Sequence, residues 1–574
     1  MNIFEEYINK ITTLILKNQK LLKLENLNKF KGIVVESPPS EFNFDLSCNA
    51  GLVLGKMNKI NPIELANKIK DLILKNLKDF ENIDIAGPGF LNLKLTNQSL
   101  ILNINKILES KETYGMRHSN STYNIEFVSA NPTGPMHVGH CRGAIYGDVL
   151  GNLLKFNGNK VTKEYYINDY GNQINNFAKS VYLRIREIKY NEKFISKENL
   201  YPGEYIIEIA KKIIDSYKNE KFNNFDQSLK LVKTESLKHS MNLIKFDLKK
   251  LGIEHDNFFS ETELIENKLV EKAMNNLKKN NYVQEGFLEP PKGEIDKNWK
   301  KTKKLIFKST LFGDDSDRAM QKNDGSWTYF ANDVGYHMDK VNRNYKYLIN
   351  VLGADHTGYV KRITAAVSAL SKNKIKLNCK VCQLVKLYKN GKPFKMSKRA
   401  GDFISAQDLL NEVNKDSIRF MMLNRSNDVE LDFDFDKVLE KSKDNPVFYV
   451  QYSFARISSL FKTLNKNLDD QIRLDPKTFT LNDNEIKILR KVFEWPKIIE
   501  TASSKYEPHK IPYYLYELAT LFHSYWSRGN DDQSFKFIKD GKIKKIETLA
   551  IIVLVAVVMQ RGMNILGVSL PSKM

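Results

Sequence analysis

The apolar positions fall into three stretches with different periods. In the first, Ile8, Ile11, Leu14, Ile15 and Leu22 share a helical stripe, and Ile60 to Leu77 repeats that spacing. Residues 83–95 contain AGPGFLNLKL, a Gly-Pro turn feeding a strand. Residues 1–115 therefore read as a small α+β unit, with polar residues 110–122 as a linker. The second stretch opens with a short apolar strand, Asn124–Val128. A loop bearing Pro and Gly follows (129–135), then a helix from Val138 to Phe156. Strand, glycine-containing loop and helix form the opening of a nucleotide-binding βα unit. Residues 175–285 are helical and rich in Lys and Glu, as expected of an insertion. Strand patterns return at Leu305–Thr310, Trp327–Phe330, Leu348–Leu352 and Cys382–Leu387, with helical patterns between several of them. They predict a mostly parallel sheet that continues after the insertion. From about Asn445 to the end the period is helical throughout. The expected units are 1–115, 116–445 and 446–574.

Composition bounds the class. The 574 residues are 42% hydrophobic and 27% charged, the profile of a globular protein with several cores. Eighty-nine basic against 68 acidic side chains leave a net charge of +21, which favours a polyanionic partner such as nucleic acid. Four cysteines are too few for a disulfide framework in a chain of this length, so a reducing compartment is expected. Cys379 and Cys382 form one CxxC without a second pair or a nearby His, so reduced thiols on a strand are expected and no metal site. The N-terminus carries Glu5 and Glu6 and no small-residue cleavage site, so it does not read as a signal peptide. The longest apolar run, Leu549–Met559, is shorter than the ~20 residues a bilayer needs and predicts a buried helix. These readings point to a cytoplasmic protein with no membrane partner.

Two segments carry candidate chemistry. SANPTGPMHVGHCRGAIYGD (129–148) places His137 and His140 where the loop becomes a helix. A helix N-terminus offers unpaired N–H groups and a positive dipole end to phosphate. Two imidazoles one turn apart add donors, and Gly139 lets a flat base approach the backbone. The loop supplies Ala130, Asn131, Pro132, Thr133, Gly134, Pro135 and Met136 ahead of Val138. KPFKMSKRAGDFIS (392–405) brackets Met396 and Ser397 with Lys395 and Lys398. Lysines on such a loop can close over a triphosphate and neutralise charge as pyrophosphate leaves.

The pair HVGH and KMSKR resembles the two signatures of class I aminoacyl-tRNA synthetases. The consensus is altered at Val138 and at Arg399. The likeness narrows to the arginyl-tRNA synthetase family in residues 124–173, DGSWTYFANDVGYHMDK (324–340), VLGADHTGYVKR (351–362), KMSKRAGDF (395–403) and DNPVFYVQYSFARI (444–457). DLSCNAGLVLGK and AGPGFLN are similar to that family's extra N-terminal domain. The match is weakest across 175–285. The resemblance implies a Rossmann-like catalytic domain with a helical insertion, a small α+β N-terminal domain and an all-α anticodon-binding domain. It implies a monomer that uses ATP with Mg2+, L-arginine and tRNA(Arg). Arginine activation would await bound tRNA, and the N-terminal domain would touch the tRNA's outer corner.

A guanidinium is a planar fork of donors that carboxylates match best. By the resemblance, Glu126, Tyr329 and Asp333 would hold the arginine side chain. Asn131 would take its amino group and His137 its carboxylate, with Asp355 a further polar contact. His137, Gly139, His140, Lys395, Met396, Ser397 and Lys398 would bind ATP, and His137, His140, Lys395 and Lys398 would be catalytic. Two alternatives stand beside this reading. One is another class I synthetase, cysteinyl or class I lysyl. The other is a non-catalytic tRNA-binding relative.

Overall fold

The computed structural model describes residues 2–39, 41–288, 302–394 and 404–574. Its centre is a five-stranded, wholly parallel sheet. The strands are β1 (Thr122–Glu126), β2 (Lys160–Ile167), β3 (Asn257–Ser260), β4 (Tyr347–Gly353) and β5 (Lys376–Cys382). Their spatial order is β5-β4-β1-β2-β3. The chain lays β2 and β3 on one side of β1, then returns to lay β4 and β5 on the other. The order therefore reverses between β1 and β4, and loops leaving their C-terminal ends splay apart there. That crevice is where open α/β sheets bind ligands. In register, Glu126 at the end of β1 faces Asn350 of β4 and Glu164 of β2.

Three helices flank the crevice: α1 (Val138–Phe156), α2 (Tyr329–Asn342) and α3 (Val360–Ser371). Helix α1 has the bounds its pattern predicts. It packs closely because Gly147 lies under the ring of Phe127, where an added Cβ would stand 2.3 Å from Cγ.

The other predicted strands depart from the parallel sheet. Lys304–Phe307 pairs antiparallel with Val283–Gly286 and Arg318–Ala319 in a separate three-stranded sheet. The Trp327–Phe330 pattern is not a strand. Thr328 accepts the Ala331 N–H (3.2 Å) and caps α2, so a local cap overrides the β preference of Trp, Tyr and Phe. The predicted strand Cys382–Leu387 is split: Cys382 ends β5, and Val385–Lys389 pairs with Leu431–Asp434. The helical stretch holds Asn172–Tyr190, Glu204–Ser216 and Phe225–Lys250, then β3 at the sheet edge, then helices Glu261–Glu266 and Leu269–Lys279. β3 escapes the pattern because NFFS is four residues long and none of them is fully buried.

The N-terminal unit sets a four-stranded antiparallel sheet against helices Ile3–Lys17, Ala50–Asn58, Pro62–Asn76 and Asn97–Glu109. Ile11 and Ile15 are buried on the first helix, and Leu22 is buried beyond its end. Helices Pro446–Thr463, Asp483–Lys505, Lys510–Asp531 and Ile546–Leu566 form the C-terminal unit. The last is longer than its apolar run and could cross a bilayer by length and composition, but Leu549–Met559 are all buried in protein. One continuous core joins the N-terminal unit, α1 and this helix. At ~1.5–3 kcal/mol per large buried apolar side chain, that helix is a main source of cohesion between the units.

Candidate active site

Each side of the crevice supplies one half of a site. On the β1 side, the backbone turns sharply after Glu126. Val128 and Ser129 sit at φ +69° and +41°, a conformation a β-branched residue holds only when its surroundings impose it. They do: the Tyr165 hydroxyl donates to the Ala130 carbonyl (2.7 Å), and the Tyr166 N–H donates to Ser129 Oγ (3.1 Å). The helical segment holds the rest of the loop. Tyr205 donates to the Thr133 carbonyl (2.9 Å) and lies against Gly134, and Asp247 accepts the Met136 N–H (3.3 Å). Burial lifts the Asp247 carboxyl to about 6, although that hydrogen bond pulls it down.

His137 and His140 stack at the start of α1, with ring centroids 3.7 Å apart. Burial lowers both imidazoles. His140 falls to about 4, pushed further by His137 and opposed by Asp355. Both rings are therefore neutral near pH 7. The His137 N–H donates to His140 Nδ1 (3.2 Å), so the His140 proton sits on Nε2 and the ring donates outward. Asp355 lies on the turn Ala354–Tyr359 after β4, exposed and 3.2 Å from His356 Nε2.

The end of the 392–405 segment, from Ile404, lies here. The N–H of Val138 donates to the Ile404 carbonyl (2.9 Å), that of Ala406 donates to the Met136 carbonyl (2.8 Å), and His137 pairs with Ser405 as an antiparallel bridge. Residue 404 is thus bonded to the HVGH turn. Lys395, Met396, Ser397 and Lys398 lie outside the described residues.

Glu126 and Asp333, 207 positions apart in sequence, meet in one acidic cluster. Burial raises the Asp333 carboxyl to about 7, with the charges of Glu126 and Glu261 adding to it and a hydrogen bond from the Tyr359 hydroxyl opposing it. Tyr166 lies within reach of Glu261, Asp333, Glu126 and Asp169, and burial plus these four carboxylates push its hydroxyl far up. Glu126 accepts from Lys340 Nζ (2.5 Å) and Ser129 Oγ (3.2 Å). Beside it, Glu164 is ionised. Burial would raise it, but Arg343 and Lys340 hold it at about 2.

Two predicted residues stand apart. Tyr329, one turn before Asp333 on α2, is 80% exposed, with the Lys322 ammonium 5.5 Å from its ring centroid. Its ring lies in solvent, outside the packed carboxylates. Asn131 is exposed and accepts from Asn168 (3.1 Å). Sequence reasoning missed Asp169, Glu261, Lys340 and Tyr359. Asp169, Lys340 and Tyr359 lie inside segments that resemble the family. Glu261 begins a six-residue helix in the least similar region, and nothing in its surroundings marks it.

Cys379 and Cys382 are free thiols on β5, packed into cores on opposite faces of the sheet. Among the described residues no cluster of three or more His, Cys, Asp or Glu side chains could hold a metal ion.

Comparison with known proteins agrees with this architecture. Residues 5–95 match the arginyl tRNA synthetase N terminal domain, 103–460 the class I (R) tRNA synthetase catalytic domain, and 450–574 the DALR anticodon binding domain. The chain is 53% identical to an arginine–tRNA ligase of Pelagibacter ubique and 44% identical to one of Bartonella tribocorum, over the full length of both partners. Among solved structures, it is similar to a putative arginyl tRNA synthetase of Campylobacter jejuni (30% identity, TM-score 0.73, 84% of this chain and all of that one). The Thermus thermophilus arginyl-tRNA synthetase shares the fold (TM-score 0.70, 16% identity, 97% of this chain and all of that one). With a catalytic-domain model spanning more than half its length and full-length relatives well above 30% identity, the chain belongs to the arginine–tRNA ligase family of class I aminoacyl-tRNA synthetases.

Proposed function

We propose that this chain activates L-arginine with ATP and esterifies it to tRNA(Arg), as the names of its full-length relatives indicate. The observation that carries the reading is the meeting of Glu126 and Asp333 at the crevice, Glu126 ending the strand whose following loop leads into the HVGH turn. The arginine carboxylate attacks the α-phosphate of ATP, and magnesium pyrophosphate leaves. The terminal ribose 2′-hydroxyl then attacks the adenylate carbonyl, and AMP leaves. No covalent enzyme intermediate is needed, so catalysis rests on positioning and electrostatic stabilisation.

The residues divide by chemistry. Glu126 and Asp333 accept the guanidinium, and Tyr329, one turn before Asp333 on α2 with its ring in solvent, would have to swing in to join them. Asn131 takes the amino group and Asp355 adds a polar contact. His137 and His140, being neutral, serve phosphate and carboxylate oxygens as hydrogen-bond donors and carry no charge there. Gly139 admits the adenine. Lys395 and Lys398, with Met396 and Ser397 between them, act on the pyrophosphate side. Magnesium arrives with the nucleotide as part of the substrate.

In the C-terminal unit, Arg456 lies over Tyr452 (4.4 Å) and Trp526 (5.5 Å), a stacking surface suited to unpaired bases. Tyr525 is buried and hydrogen-bonded to Glu485, so it belongs to the core. The N-terminal unit meets the tRNA body. The protein acts as a cytoplasmic monomer.

The test is ATP–pyrophosphate exchange with tRNA present, run across the standard amino acids. Exchange that depends on arginine alone is expected. Exchange with lysine or cysteine overturns the specificity, and none with any amino acid makes the chain a non-catalytic relative.

A further inference from the structure

A pocket read as binding a cation contains a buried cation of its own. Lys340 is fully buried, and its ammonium lies 2.5 Å from Glu126 Oε2. It touches the ring of Tyr336 (4.3 Å) and donates to Asn350 Oδ1 (3.3 Å). The polar chain continues: Asn350 Nδ2 meets His337 Nε2 (2.9 Å), and His337 Nδ1 meets the Asp333 carbonyl (2.8 Å). Its direction is fixed at one end, because an ammonium only donates. Asn350 must therefore turn its oxygen to Lys340 and its amide N–H to His337. His337 must accept at Nε2 and donate from Nδ1. The ring stays neutral to do so, burial and the Lys340 charge driving its pKa to about 3.

We propose that Lys340, acting through Asn350 and His337, is the positioning residue that sets the spacing of the two guanidinium acceptors and so decides selectivity for arginine. The inference rests on the reading of Glu126 and Asp333 given above. The relay ties β1, β4 and α2 together and ends on the backbone of Asp333 itself. It also pre-engages one oxygen of each acid: Oε2 of Glu126 by Lys340, and Oδ2 of Asp333 by Tyr359. What remains for substrate is Oε1, which also accepts from Ser129, and Oδ1, on two carboxylates from two elements. A guanidinium can reach both, because its terminal nitrogens are separate donors held in one plane. An ammonium carries its three donors on one atom, so it reaches both only where they lie within a single hydrogen-bond length of one point. A purely structural role is already filled nearby. Tyr336 on α2 and Arg343 at its C-terminal cap pin the neighbouring strand through Glu164. Lys340 instead engages the carboxylate at the crevice end.

The experiment measures arginine and ATP KM values, and the arginine-over-lysine preference, in tRNA-dependent exchange by the full chain and two variants. Lys340→Met is expected to raise the arginine KM about thirtyfold, the size of a lost charge-assisted hydrogen bond, with the ATP KM unchanged and the preference reduced. Asn350→Leu keeps the Lys340–Glu126 pair but cuts the relay, and should raise the arginine KM about fivefold with the same split. If Lys340→Met does not fold, Asn350→Leu decides. A wild-type arginine KM in a folded variant, or equal rises for both substrates, overturns the proposal. If the wild-type protein shows no arginine-dependent exchange, it is the functional reading that has failed.

Discussion

Arginine should bind more weakly as the pH falls from 8 to 6, and Asp333 should be the reason. Its carboxyl titrates at about 7, raised by burial and by the charges of Glu126 and Glu261. A bound guanidinium requires the ionised form and pulls that pKa down. Binding is therefore coupled to proton release, and affinity rises with pH between the bound-state and free-state values. With a free-state value of about 7, roughly a tenth of Asp333 is ionised at pH 6 and nine-tenths at pH 8. The dissociation constant should then change about tenfold across that range, with about half a proton released per arginine at pH 7. His140 and His337 titrate at about 4 and about 3, below the window. Calorimetry in buffers of different ionisation enthalpy reads both quantities. Asp333→Asn should remove the pH dependence and weaken binding by about 2 kcal/mol at pH 8. A flat affinity from pH 6 to 8, or a slope that survives in Asp333→Asn, refutes the reasoning.

Three other expectations test the frame around the site. Asp148 on α1 is buried between Lys163 (2.6 Å) and Arg419 (2.5 Å), so Asp148→Ala strands two cations and should cost about 3–5 kcal/mol in urea unfolding; a change under 1 kcal/mol would show that the pair is dispensable. Gly147→Ala improves helix propensity but drives a methyl into Phe127, and a net loss of about 1–3 kcal/mol is expected, whereas a gain in melting temperature would show that the ring can move. Arg456→Ala should raise the tRNA KM about tenfold in charging while leaving arginine and ATP KM values alone, and an unchanged tRNA KM removes the stacking surface from the account.

Removing residues 450–574 wholesale would test less than a point change. The buried guanidinium of Arg419 joins Asp148 of α1 to the carbonyls of Leu251 and Leu566, and Asn152 donates to Ile565. Truncation would therefore strip the floor from under the HVGH helix along with the tRNA surface.

What the sequence made legible follows from periodicity and punctuation. Helix α1 could be placed, from about Val138 to Phe156, because a strand and a Pro/Gly loop precede it. WTYF misled because three residues suited to strands sit at a helix start whose cap, Thr328, resembles any other Thr in a run. NFFS stayed hidden because an edge strand of four residues carries too little alternation. In the site, Glu126 and Asp333 were found through resemblance, since one acid on a strand and one on a helix have no local pattern. Lys340 had no local pattern either, although it closes a family-like segment: an ammonium in a cation pocket makes sense only once its partner, on the neighbouring strand, is in view.

The most direct measurement is a crystal structure with a non-hydrolysable arginyl-adenylate analogue. The account predicts the guanidinium within hydrogen-bonding distance of Glu126 Oε1 and Asp333 Oδ1, with the adenine over Gly139. An analogue whose side chain reaches neither carboxylate, or whose adenine lies away from the HVGH turn, would contradict it.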